Sequence, residues 1–177
     1  MPVISYLSHT PQIAEDVFIA EDAWISGDVR IGPESNIWFG VVIRGDVAPT
    51  TIGARVSIQD LTVIHQSPDF PVVIEDDVVI GHRALIHGAT IHRGALIGMG
   101  AIVLDGAVIG EGALIGAGSL IPPGMVVPPH KVVIGHPGRI TRDIQEKDRS
   151  EHRRIVESYV MRGQTYRDIF RTMHKNT

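Results

Sequence analysis

Apolar residues in this chain recur at every sixth position, a period that belongs neither to an isolated strand nor to a helix. An isoleucine stands at Ile13, Ile19, Ile25, Ile31, Ile37 and Ile43. The phase resumes at Ile52, Ile58 and Ile64, and again at Ile74, Ile80 and Ile86. A last run covers Ile91, Ile97, Val103, Ile109, Ile115, Ile121, Val127 and Val133. Two positions before most anchors sits a small or β-branched residue, as at Val17, Ala23, Val41, Val56, Thr62, Ala84, Ala95 and Ala107. Glycine often follows the anchor, as in Ile97-Gly98 and Ile115-Gly116. This is the pattern of a parallel β-helix built from hexapeptides. Three hexads make one triangular coil and advance the chain by one strand spacing, about 4.8 Å. Short strands rich in Ile and Val, with Gly and Ala at the corners, then stack their anchors into apolar columns inside a prism. The twenty anchors correspond to six to seven coils, a spacing that a sandwich of short strands does not produce.

The repeat resembles that of the left-handed β-helix family of hexapeptide-repeat proteins, and the left hand follows from that resemblance alone. The expected fold is all-β: a left-handed parallel β-helix over residues 13–140, a triangular prism preceded by an N-terminal segment over 1–12. From Thr141 the hexad vanishes and charges crowd in, at Arg142, Asp143, Glu146, Lys147, Asp148 and Arg149. Ile155, Tyr159, Gly163, Tyr166, Phe170 and Met173 then follow at helical spacing, on one face. Residues 141–177 are therefore expected to form a helical segment packed along the outside of the prism. Asp148 or Ser150 is the candidate cap, and Gly163 would allow a close approach at a local cost of roughly 1 kcal/mol.

Composition narrows the class. The net charge of −4 and pI near 6.1 give no basic surface for nucleic acid or an anionic membrane. Cysteine is absent, so neither disulfides nor thiolate chemistry arise. The opening MPVISYLSHTPQIAED has no signal-peptide pattern, and no apolar run reaches spanning length. A cytoplasmic protein is expected.

The candidate chemistry lies where the phase slips. The interval is nine between Ile43 and Ile52, ten between Ile64 and Ile74, and five between Ile86 and Ile91. Insertions in a solenoid map to loops, often on its working face. The residues at the slips are Arg44-Gly45-Asp46, His65-Gln66-Ser67 and His87-Gly88. With the insertions removed, Arg44, His65 and His87 each follow their anchor in one column, so His65 and His87 stand one strand spacing apart. Asp60 and His82 form a second column, one hexad away. A rigid prism does not bring the two columns to one point, but a second subunit does. Packing about a threefold axis would bring His65 and His87 of one chain to His82 of its neighbour, and Arg44 to Asp60 as an ion pair. Three neutral imidazoles with an open position make a catalytic zinc site. The other histidines, His9, His92, His130, His136, His152 and His174, share no register with these and are expected at the surface.

The ordered set Arg44-Gly45-Asp46, Gln59-Asp60, His65, His82 and His87 on a hexapeptide β-helix closely resembles the γ-class carbonic anhydrases and their bacterial homologues, over nearly the whole chain. The resemblance implies a homotrimer with metal sites between subunits, held by His65, His82 and His87. The metal would be Zn²⁺, with Fe²⁺ and Co²⁺ as alternatives, and the reaction reversible hydration of CO2 to bicarbonate. It also implies that Arg44 and Asp60 form an intersubunit ion pair, that Gln59 orients the metal-bound hydroxide and that Asp46 supports that network. Tyr159 matches the tyrosine lining the family's site, with Tyr166 as its rival. One departure concerns proton transfer: the archaeal enzymes carry an acidic loop with glutamates. Here Val47-Ala48-Pro49 follows Asp46, and the second insertion offers only Asp69. Two other readings stay open: an acyltransferase or thioesterase acting on acyl-CoA, and a metal-binding trimer without hydratase activity.

Overall fold

Anchor isoleucines face inward because strands alternate their side chains, and the prism interior is the side away from water. A computed structural model describes residues 3–175, with side chains described as far as Met173. The architecture is a parallel β-solenoid of about seven turns with one C-terminal helix. Its strands form three faces.

The first face stacks Val3–Ile4, the leading halves of Trp24–Ile31 and Val42–Ile52, Val63–His65, Leu85–His87, Ile102–Val103 and Leu120–Ile121. The second stacks Gln12–Ile13, the trailing halves of the same two long strands, Val72–Ile74, Thr90–Ile91, Val108–Ile109 and Val126–Val127. The third runs from Phe18–Ile19 through Asn36–Ile37, Ser57–Ile58, Val79–Ile80, Leu96–Ile97 and Leu114–Ile115 to Lys131–Gly135. Ile25, Ile43, Ile64, Ile86, Val103 and Ile121 form one fully buried column. Each such side chain contributes about 1.5–3 kcal/mol by leaving water. The small residues before the anchors, such as Ala84, Ala95 and Ala107, are buried too and leave room for the corners to close.

Three expectations change. First, the described part of the N-terminal segment, residues 3–12, does not stand apart, because Val3 and Ile4 pair with Ile25 and Ser26 and open the first coil. The interval from Ile4 to Ile13 is nine, the same interruption as after Ile43, and it hides the phase. Second, the first internal insertion is no loop. Val42–Ile52 runs as one strand of 11 residues beside Trp24–Ile31, and the extra residues are absorbed where the register breaks between Gly27 and Val29. Gly27 (φ 81°) has to be glycine, since a Cβ there would lie 2.3 Å from the Gly45 carbonyl oxygen. Third, the prism extends past residue 140. Gly138–Asp143 turns back antiparallel on Lys131–Gly135 and covers the last coil.

The helix spans Glu146–Lys175. Asp148 works from inside its first turn, accepting a hydrogen bond from the Gln145 N–H at 2.8 Å, as the carboxylate of a capping box does. Ser150 is no cap, since its hydroxyl donates to the Lys147 carbonyl. Val156 and Val160, absent from the expected stripe, are buried against Val79. A Cβ on Gly163 would come within 3.0 Å of the Asn36 Cβ, so glycine sets the distance between helix and sheet. Phe18, Trp38, Phe39, Tyr166 and Phe170 interlock as an aromatic cluster beneath the helix. Met173 is exposed, because Phe170 already reaches Phe18 on the first coil and no further coil lies beyond it. Among the described residues no helix is long and apolar enough to cross a membrane.

Candidate metal centre

Parallel pairing puts identical positions of successive coils side by side. Leu85–His87 pairs with Val63–His65 so that His87 lies directly on His65. The rings turn toward each other, with His65 Nδ1 and His87 Nε2 3.1 Å apart. Their outer nitrogens are each held by a carboxylate. His65 Nε2 lies 3.1 Å from Asp46 Oδ1, and His87 Nδ1 lies 2.6 Å from Asp105 Oδ1. An ionised carboxylate only accepts, so each outer nitrogen carries its ring's proton when the imidazole is neutral. Two lone pairs then face each other across the gap, and His65 and His87 could hold a cation between them.

Electrostatics favour ionised Asp46 and Asp105 carboxylates and a neutral His65. Burial pushes the Asp46 carboxyl up, but hydrogen bonds from Arg44 and His65 outweigh it and leave the group below its ordinary value. Asp105 follows the same balance, with burial opposed by His87 and by the Ser67 hydroxyl, and it too ends below the ordinary carboxylate value. Burial lowers His65, against the pull of Asp46, and so favours the neutral ring that a metal requires.

His82 lies elsewhere. It follows Val79–Ile80 on the third face, at the corner where the chain turns into Leu85–His87. It stands directly over Asp60, with Nδ1 2.7 Å from Asp60 Oδ2, which leaves Nε2 unengaged by that pair. The two histidine columns thus occupy opposite edges of the first face. Among the described residues of one chain, no three metal-ligating side chains converge. Within the chain Arg44 pairs with Asp46 and Asp60 with His82, so Arg44 and Asp60 do not meet. The outward side chains between the edges are Trp24, Val42, Val63, Leu85, Ile102 and Leu120. All are apolar, and Trp24 and Val63 are 49% and 38% exposed. The equivalent positions of the second face include Gln12, Arg30, Thr51 and Thr90.

Gln59 is buried beside the His82 column and lines a cavity of about 350 Å³ together with Gly81, His82, Tyr159 and Arg162. Tyr159 stands edge-on to Trp38, ring centroids 5.5 Å apart. Burial raises its phenol above the usual value, and the Arg162 guanidinium, 5.2 Å over the ring, works against that. Tyr166 lies in the aromatic cluster and does not line this cavity.

One surface expectation changes. His92 keeps a partly exposed place, paired with Glu75 one coil below, whose Oε1 is 2.9 Å from its Nδ1. His152 is half-buried between helix and prism, where desolvation lowers its pKa and its Nε2 is buried without a hydrogen-bond partner. His9, His130 and His136 are exposed, and the side chain of His174 falls outside the described residues. Asp105 was not singled out from the sequence. One coil above His87-Gly88 the register places Leu104-Asp105, which is the signal that would have found it.

A family profile described as Bacterial transferase hexapeptide (six repeats) matches residues 88–123. The chain is 59% identical over 170 residues to the Bacillus subtilis protein "Uncharacterized transferase YtoA", covering 96% of this chain and 99% of that one. It is 53% identical over 167 residues to the carbonic anhydrase of Geobacillus kaustophilus, covering 94% and 92%. The chain belongs to the γ-class carbonic anhydrase-like family of hexapeptide-repeat proteins. A crystal structure from Bacillus cereus, assigned by name to the acetyltransferases, matches it with a TM-score of 0.94. The identity there is 48%, over 94% of this chain and 97% of that one. The family is thus shared by proteins named for two chemistries.

Proposed function

We propose that this chain is a metal-dependent γ-type carbonic anhydrase-like enzyme, interconverting CO2 and bicarbonate at the interfaces of a homotrimer. His65 and His87 of one subunit and His82 of the next would hold the ion, Zn²⁺ with Fe²⁺ and Co²⁺ as alternatives. The observation that carries the reading is the facing pair His65 Nδ1 and His87 Nε2, 3.1 Å apart with both outer nitrogens on carboxylates. The donor set fits such an ion, because three neutral imidazoles with carboxylate-anchored outer nitrogens are a common ligand arrangement. When bound, a divalent ion in this setting acts as a Lewis acid and brings the pKa of water to about 7.

The chain's own groups do the rest. The apolar first face lies between the two histidine edges and offers subunits a surface to bury. Arg44 and Asp60, on those opposite edges, would pair across it. Gln59, buried at the side of the His82 column, can present its amide to the reacting oxygen. Tyr159 walls the cavity beside it. Asp46 fixes His65 and Arg44 together. Proton export has no glutamate on the Asp46–Pro49 stretch to serve it, so turnover should depend strongly on added buffer.

Protein purified without oxygen tests the reading, by metal content per subunit together with stopped-flow CO2 hydration. The expected result is one divalent ion per subunit and hydration above background that rises with buffer concentration. Full metal occupancy with rates at background would overturn hydratase activity. A second reading, acyl transfer from a CoA thioester, is favoured by the transferase names of close relatives. CoA-thioester turnover that survives chelation would support it.

A further inference from the structure

We propose that Asp105 is the positioning residue for His87 and ties the second insertion to it. The inference rests on the reading of His87 as a metal ligand. Asp105 is the third member of a pattern in which each of the three histidines has one carboxylate: Asp46 for His65, Asp60 for His82 and Asp105 for His87. Its Oδ1 takes the His87 Nδ1 at 2.6 Å, and its Oδ2 accepts the Ser67 hydroxyl at 2.7 Å. Ser67 opens the tight turn Ser67–Phe70, which follows His65 by two residues. The Asp105 carboxylate, 38 residues from Ser67 in sequence, therefore bridges the loop leaving the first ligand and the ring of the second.

The backbone is shaped to admit it. Gly88 adopts φ 57°, and a Cβ there would lie 2.3 Å from Asp105 Oδ1 and 2.8 Å from the Phe70 Cβ. Any side chain at that position would displace the carboxylate or the turn. The one-residue deletion between Ile86 and Ile91 puts this glycine beside His87, so deletion, glycine and carboxylate form one device. Its effect is to hold the proton of His87 on Nδ1 and aim the Nε2 lone pair at His65. A histidine held in this way is a better ligand, and removing such a partner costs about 10- to 100-fold in metal affinity.

The test is Co²⁺ titration of the full-length protein, followed by the visible spectrum of the bound ion, with Asp105→Asn, Asp105→Glu, Ser67→Ala and His87→Ala. Asp105→Asn is expected to bind Co²⁺ about 10- to 100-fold more weakly with an altered spectrum, while its metal-free melting temperature and oligomeric state match the parent. Asp105→Glu should restore part of the affinity, and Ser67→Ala should lose less than Asp105→Asn. Parental affinity and spectrum in Asp105→Asn, alongside binding abolished in His87→Ala, would overturn the role of Asp105 alone. Unchanged binding in His87→Ala would overturn the ligand reading beneath it. A metal-free Asp105→Asn protein that melts early or loses its assembly would assign the carboxylate to folding and overturn the proposal.

Discussion

Asp148 joins the prism cap to the helix through one carboxyl group. Arg142, on the strand covering the last coil, donates two hydrogen bonds to it at 2.6 and 3.0 Å. Those bonds, with the Gln145 N–H, pull its pKa down to about 2. A carboxyl lowered from about 3.9 in the unfolded chain stabilises the fold above that value and loses its contribution as pH falls through the folded value. Melting temperature should therefore fall between roughly pH 5 and 2 with a contribution that Asp148→Asn removes. Melts of the two proteins across that range check it, and parallel curves would show that the contact carries no linkage. At this scale the sequence was partly legible. Asp148 stood out as a cap candidate, yet its action from the third helical position depends on Arg142 folding back, which no local pattern reports. The stacked histidines could be read because parallel register turns sequence intervals into neighbours. Asp105 obeys the same rule, but it lies past a one-residue deletion and is one of many surface carboxylates in the chain.

In the proposed trimer, the first face is the element that decides whether sites form. Its outward column is apolar from Trp24 to Leu120, and no helix covers it, since the C-terminal helix lies on the third face. Leu85, mid-column between the two histidine edges, is a direct probe. Leu85→Glu places a charge where subunits would pack, while the anchor Ile86 beneath it keeps the coil intact. The expected outcome is an assembly broken into monomers, metal content lost and circular dichroism unchanged, read by light scattering and metal analysis. An intact, metal-loaded assembly would remove this face from the interface. Inward positions of these strands were legible because every coil repeats them. Outward positions carry a separate code, one per face, that appears only when hexads are sorted by threes. The first insertion was misread for a related reason. Extra residues need not leave the sheet when a neighbouring strand can bend around the corner with them, as Trp24–Ile31 does beside Val42–Ile52.

For the whole molecule, two histidine columns on opposite edges of one face would make the proposed site a property of the assembly. Sequence intervals alone gave that separation, and the fold keeps it: Asp60 and His82 stand together at one corner, His65 and His87 at another. Handedness and the packing of neighbouring chains were not legible from intervals, because the repeat specifies contacts within a coil and between coils only. The most direct measurement is subunit complementation. His65→Ala and His82→Ala proteins would each be measured alone, then co-assembled in equal amounts, for metal content and CO2 hydration. Alone, each should stand at background, since every interface lacks a ligand. Mixed at random, roughly a quarter of the interfaces join an intact His65 and His87 to an intact His82 of the neighbour. About that fraction of metal and activity should return. A mixture that stays at background, or a single variant that keeps its full metal, would contradict a site shared between subunits.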